Sequence, residues 1–92
     1  MADAQPLSLY LAVPMTRDVL SSYCTLSPEN LKALNEYLEV VDCEGERFLG
    51  KKLGAELTLE SLVMAEAHVL SLIHRFVPLQ KLPPLNVISI HS

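Results

Sequence analysis

Hydrophobic residues recur with a helical period from Thr58 to Val77, the longest regular pattern in the chain. At 100° per residue, they form a wide apolar stripe with polar residues opposite. Thr58 is suited to the N-cap, Glu60 lies where the helix dipole favours an anion, and Pro78 ends the pattern. We therefore expect a helix over residues 58–77, with the rest of the domain packed against it. The residues assigned to its core-facing side are Leu59, Leu62, Val63 (at the edge of the stripe), Val69, Leu70, Ile73, Phe76 and Val77.

Two segments near the ends of the chain have the patterns of strands. From Leu7 to Val13, large apolar residues alternate with other residues, and Pro14 stops the pattern. From Asn86 to Ile90, β-branched residues predominate. We expect at least one of these strands to have an open hydrogen-bonding edge, because so small a sheet has few strands with which to cover its edges.

Helix start signals occupy the region between these strands. Thr16 can cap a short helix that ends near Cys24, and Ser27 followed by Pro28 predicts the start of a second helix. The apolar residues of this second helix recur at a spacing that gives it a narrow core-facing stripe. They are Leu31, Leu34, Leu38 and Val41. The end of this helix is left open, because Val40, Val41 and Cys43 are also consistent with a strand.

Glycine positions predict two turns. Glu44-Gly45 lies between two short apolar segments, which indicates a hairpin. Gly50 and Gly54 bracket two lysines, which we interpret as a second turn or loop.

The order of these elements predicts an α+β fold. We expect a two-layer sandwich with two main helices on a small, mainly antiparallel sheet, and a ferredoxin-like split βαβ arrangement is the nearest topology. The whole chain, residues 1–92, is predicted to be a single domain. Within it, residues 1–6 are interpreted as a flexible lead-in and residues 78–84 as a proline-rich extended connection.

Composition favours association with other proteins. Half of the 92 residues are hydrophobic, which leaves more apolar surface than so small a domain can easily bury, so we expect a homodimer or a complex with a protein partner. The net charge of −4 disfavours nucleic acid as a partner, because phosphate binding requires clustered basic residues. Several acidic residues lie close together in the middle of the sequence, and they are candidates for contacting a basic partner. These candidate interaction residues are Glu36, Glu39, Asp42, Glu44 and Glu46.

Membranes, metals and cofactors are not expected partners. The helix at 58–77 carries charged and titratable side chains that are costly in lipid. His68 and His74 are rotated about 240° apart on that helix, so they cannot form a metal site together. No nucleophile motif accompanies Cys24, which we expect to be buried. With only one further cysteine, Cys43, and no recognisable secretion signal, we expect a cytoplasmic location.

Glu66 is the weak catalytic candidate, because it interrupts the apolar stripe of the central helix. A carboxyl group buried there would have a raised pKa, as general acids and bases often have. The competing interpretation is a structural pair with Tyr10, Tyr23 or Arg47, or a position at a subunit contact.

Two functions follow from these patterns. The first is a small non-enzymatic protein-protein interaction module that acts as a subunit, adaptor or regulator and self-associates. The alternative is a small enzyme or ligand-binding domain that uses Glu66 and a histidine in a pocket between helix and sheet.

Overall fold

The structure is a computed structural model that describes residues 7–54 and 57–91. Three helices and four strands lie within these residues, and the predicted lead-in at 1–6 lies outside them. In chain order they are β1 (Leu7–Pro14), α1 (Arg17–Cys24), α2 (Pro28–Asn35), β2 (Glu39–Cys43), β3 (Glu46–Lys52), α3 (Leu59–Phe76) and β4 (Asn86–His91).

The four strands form one antiparallel sheet in the order β2-β3-β1-β4. The predicted α+β class with helices layered on a small antiparallel sheet is confirmed. β3 lies between β1 and β2, as in a split βαβ unit, but two short helices connect β1 to β2 where that topology has one. The ferredoxin-like classification therefore stays a prediction. β1 is an inner strand, so the two outer strands are β2 and β4.

Side-chain caps begin each helix where the sequence predicts it. Thr16 accepts a hydrogen bond from the backbone of Val19, and Ser27 accepts one from the backbone of Asn30. At the start of α3, Thr58 and Ser61 form a reciprocal capping box. Each cap satisfies a backbone amide that has no partner within its helix, so these boundaries are fixed by local chemistry.

The predicted hairpin at Glu44-Gly45 is also present. Both residues have positive φ angles, 51° and 82°, and Cys43 pairs with Glu46 across the turn. Two left-handed residues match the twist of the flanking strands, and glycine adopts this conformation without steric cost. The turn therefore fixes the register between β2 and β3.

The main core lies between the helices and one face of the sheet. Leu11, Val13 and Leu49 project from that face, and α3 contributes Val69 and Ile73. All five are almost completely inaccessible to solvent. The other fully buried members of this core are Leu34, Leu38 and Val77.

The predicted turn around Gly50 is wrong, because Gly50 and the two following lysines belong to β3. Gly50 is directly opposite Ala12 in the centre of the sheet. A Cβ atom at position 50 would lie 2.5 Å from the Cα of Ala12 and would also meet the carbonyl oxygen of Leu11. This glycine therefore permits two strands to approach each other closely, a role that sequence spacing alone does not distinguish from a turn.

The sheet is strongly curled. In a flat sheet, β2 and β4 would be about 14 Å apart, but the Sγ of Cys43 in β2 lies 3.7 Å from the carbonyl oxygen of Ser89 in β4. Ala12, Gly50 and Phe48 are buried although they project from the face opposite the main core. The approach of the two outer strands accounts for this burial, since it makes the second face concave.

Candidate functional site

Among the described residues, the most exposed large apolar side chains lie on the first half of α3. Leu59 is 79% exposed, Val63 is 59% exposed and Met64 is 68% exposed. Ala67 is also exposed, and Leu70 is half-buried. We call these five residues the outer face of α3.

The geometry of α3 explains why this face is uncovered. Residues 59, 63, 67 and 70 follow one another at steps of four, four and three, so they lie along one side of the helix. Val69 and Ile73, which are fully buried, project from a different side and belong to the second half of the helix. Within residues 7–54 and 57–91, the first half reaches the core through the partly buried Leu62 and Ala65. The described residues therefore leave Leu59, Val63 and Met64 largely uncovered.

The prediction that Leu59 and Val63 face the core is wrong, because both are exposed. Apolar residues occupy more than half of the circumference of α3 in its first half, so periodicity cannot decide which side is buried. The residue that indicates the exposed surface is Met64, which lies far from the predicted stripe. An apolar residue on the expected polar side indicates that a helix has a second contact surface.

The predicted acidic interaction residues lie at one edge of the sheet. Glu39 and Asp42 belong to β2, Glu44 to the turn and Glu46 to β3, and all four are exposed. Glu36 is the exposed C-cap residue of α2, just before this hairpin. The structure thus brings the five acids to one region, although their role in binding stays a prediction.

Two of these acids already have partners within the chain. The side chain of Asp42 lies 3.4 Å from the Nε of Arg47, its neighbour across the strands, and both side chains are well exposed. An exposed pair of this kind contributes little to stability. The hydroxyl of Tyr10 donates a hydrogen bond of 3.1 Å to Glu39.

Among the described residues, Tyr10 is the one whose pKa clearly departs from its ordinary value. Burial raises the pKa of Tyr10 above its ordinary value of 10.0, and both the hydrogen bond to Glu39 and the negative charge of that residue raise it further. The contact crosses β3 above Gly50, since Glu39 is paired with Gly50 and Tyr10 lies on the far strand. It therefore links the outer strand β2 to the centre of the sheet.

Two open clefts flank the β2–β3 turn. One, of about 570 Å³, lies between the turn and the start of α1 and is lined by Met15, Leu20 and Arg47 among others. The other, of about 410 Å³, lies where β2 meets β4 and is lined by Cys43 and Ile90 together with acidic residues. Both mix apolar and charged walls, which suits contact with a protein surface more than enclosure of a small ligand.

Glu66 does not lie where the sequence predicted, because its side chain is exposed. The three residues that we expect to pair with Glu66 each contact a different residue instead. Tyr10 contacts Glu39, Tyr23 donates to Asn35, and Arg47 pairs with Asp42. The first half of α3 does not pack closely against the sheet. The side chain of Glu66 is therefore in contact with solvent, although it lies within the apolar stripe.

Glu66 and a histidine do not meet in the cleft that is described between α3 and the sheet. A cleft of about 190 Å³ separates the sheet from α3, and it is lined by lysine, glycine, serine and apolar residues, without Glu66 or a histidine. His68 and His74 are exposed on α3. Cys24, which we expected to be buried, is also exposed, because it is the last residue of α1 and lies off its inner side.

Within residues 7–54 and 57–91, no three histidine, cysteine or acidic side chains are grouped so as to hold a metal ion. The helices described for this chain are also too short or too polar to cross a membrane. Comparisons with protein families, with characterised proteins and with solved structures find no match. The function therefore has to be inferred from the geometry of the surface.

Proposed function

We propose that this protein is a small, non-enzymatic protein-protein interaction module that acts as a subunit, adaptor or regulator and self-associates. The observation that carries the proposal is the outer face of α3, where Leu59, Val63 and Met64 are exposed side by side. Burial of each such side chain contributes roughly 1.5–3 kcal/mol. Isolated exposed apolar residues are common on proteins, but a contiguous group on one regular element is typical of a binding surface.

The acidic hairpin is a second part of the proposal. Glu44 and Glu46 project near the turn, next to two clefts, and their charges can attract a basic surface on a partner. Charges at the rim of an interface change the association rate and its salt dependence more than they change affinity. A cytoplasmic location belongs to the same proposal, in keeping with the two free cysteines.

The double substitution Val63→Lys/Met64→Lys tests the role of α3. Both positions are exposed, so the variant should fold with an unchanged helical circular dichroism spectrum. We expect it to lose self-association in sedimentation velocity, and to lose protein partners that the wild type retains on an affinity resin. Ser21→Lys, which adds a charge at an exposed position of α1, is the control and should behave like the wild type. Equal masses and equal partners for the double variant and the wild type would overturn the proposal.

A further inference from the structure

We infer that the outer face of α3 pairs with the same face of a second copy of this chain, with the two helices antiparallel and crossing at Ala67. This inference rests on the proposed function and names the partner at the same surface. It follows from the shape of the face and from the positions of Glu60 and His74 along α3.

Ala67 lies in the middle of the apolar stripe. It is exposed, with Val63 four residues before it and Leu70 three residues after it. Packed helices are about 8–10 Å apart, and the distance depends on the side chains at the crossing point. An alanine at that point permits a close approach, so the larger residues on both sides can pack against the second copy.

An antiparallel pair with a two-fold axis at Ala67 joins complementary residues. In such a pair, a residue n positions before Ala67 lies opposite the residue n positions after it in the other copy. Glu60 is therefore opposite His74, and both side chains are exposed. Val63 of one copy lies beside Leu70 of the other.

The position of Glu60 also favours the antiparallel direction. A parallel pair would place the two Glu60 side chains together at one end, where their like charges repel. The antiparallel pair instead places each Glu60 carboxylate beside a His74 imidazole, which can donate a hydrogen bond to it.

The edge of β2 is less suited to self-association. An antiparallel pairing of two β2 strands would bring the acidic residues Glu39 and Asp42 close to their copies. The far end of β2 is also in contact with β4 of the same chain through Cys43. The outer face of α3 is better suited, because it combines apolar surface with a carboxylate and an imidazole that meet in the antiparallel pair.

A disulfide at the crossing point tests the arrangement directly. The substitution Ala67→Cys is introduced into a chain in which Cys24 and Cys43 are replaced by serine. Two cysteines can form a disulfide when their Cα atoms are within about 7 Å. We expect this variant to form a covalent dimer rapidly under mild oxidation at micromolar concentration.

Ser71→Cys in the same background is the matched control. Residue 71 lies opposite residue 63 in the antiparallel pair, so the two introduced cysteines would be about 12 Å apart along the helix axes. We expect little cross-linking. Equal cross-linking at 67 and 71 would overturn the antiparallel arrangement, because only a parallel or non-specific contact brings both pairs together.

A charge exchange tests the contact between Glu60 and His74. At low ionic strength, Glu60→Lys or His74→Glu alone should weaken dimerisation about three- to tenfold. The double exchange Glu60→Lys/His74→Glu restores opposite charges and should recover the wild-type dissociation constant. Additive losses in the double variant would contradict the proposed register.

Failure of this inference is distinguishable from failure of the proposed function. If the wild type stays monomeric at concentrations of several hundred micromolar, the inference is overturned. If Val63→Lys/Met64→Lys then abolishes binding to another protein, the interaction function stands with a different partner. If neither self-association nor partner binding depends on these residues, both are overturned.

Discussion

At the scale of single residues, the pairing of Gly50 with Ala12 determines how closely the two central strands approach. These are the two smallest residue types, and they lie directly opposite each other on the two central strands. Gly54 provides a contrast, because nothing lies within 4 Å of the position that its Cβ would occupy. The two glycines therefore have different physical roles despite their short separation in sequence.

The substitution Gly50→Ala should destabilise the protein by about 1–3 kcal/mol, because the added methyl group has to displace backbone atoms of β1. Urea denaturation followed by circular dichroism measures the change in midpoint. Gly54→Ala is the control, and should be neutral or slightly stabilising by reducing the entropy of the unfolded chain. Equal midpoints for the two variants would mean that the strands do not approach as closely as described.

The contact between Tyr10 and Glu39 predicts a specific response to alkaline pH. Since the pKa of Tyr10 is raised in the folded state, the unfolded chain releases this proton more readily. The contribution of Tyr10 to stability is fully present below about pH 10 and is lost as the pH rises through the raised folded-state value.

Glu39→Gln should lower the pKa of Tyr10 without returning it to the ordinary value, because burial remains the largest cause of the shift. Absorbance titration of tyrosinate follows this change, and Tyr10→Phe identifies which transition belongs to Tyr10. Glu36→Gln removes a nearby charge that makes no described contact with Tyr10, and should leave the titration unchanged. A Tyr10 pKa unaffected by Glu39→Gln would show that the hydrogen bond does not form.

At the scale of elements, α3 has two halves with different surroundings. Its second half is embedded in the core through Val69 and Ile73, whereas its first half presents Met64 to solvent. The capping box at Thr58 and Ser61 stabilises the first turn locally, so the helix can begin before it reaches the core. One continuous helix thus has a second half that packs in the core and a first half that is exposed to solvent.

Ile73→Ala should cost about 2–5 kcal/mol, a large share of the stability of a small domain, because it leaves a cavity among fully buried side chains. Met64→Ala on the same helix should cost less than about 0.5 kcal/mol in the monomer. Guanidinium denaturation of both variants at low concentration, where self-association is negligible, provides the comparison. Similar losses for both would mean that the two sides of α3 have been assigned incorrectly.

At the scale of the whole molecule, stability and association are coupled. A chain of 92 residues buries only part of its surface, and one helix face is left apolar and exposed. Anything that binds only the folded state stabilises it by mass action. Self-association through α3 would therefore supply stability that the single chain lacks.

The thermal midpoint should consequently depend on protein concentration. We expect each tenfold increase above the dissociation constant to raise it by roughly 2–8 °C, measured by differential scanning calorimetry. The Val63→Lys/Met64→Lys variant should have a midpoint that does not change with concentration. A wild-type midpoint that is equally constant would argue against self-association of the folded chain.

The sequence by itself determined where the helices begin and where the chain turns between β2 and β3. The side chains of Ser27 and Thr58 satisfy backbone amides three residues away, and Glu44-Gly45 closes a turn between adjacent strands. These interactions connect neighbours in the chain, so their signals are visible in a short stretch of sequence. The α+β class follows from the order of such elements.

Only the tertiary structure decided which surfaces are covered. Whether Gly50 lies in a turn or in a strand depends on Ala12, far away in the chain, and the exposure of Glu66 depends on how far the sheet extends beneath α3. Periodicity selects the buried side of a helix only when the apolar arc is narrow. The apolar arc of α3 is wide, so long-range packing determined that Val69 is buried and Leu59 is exposed.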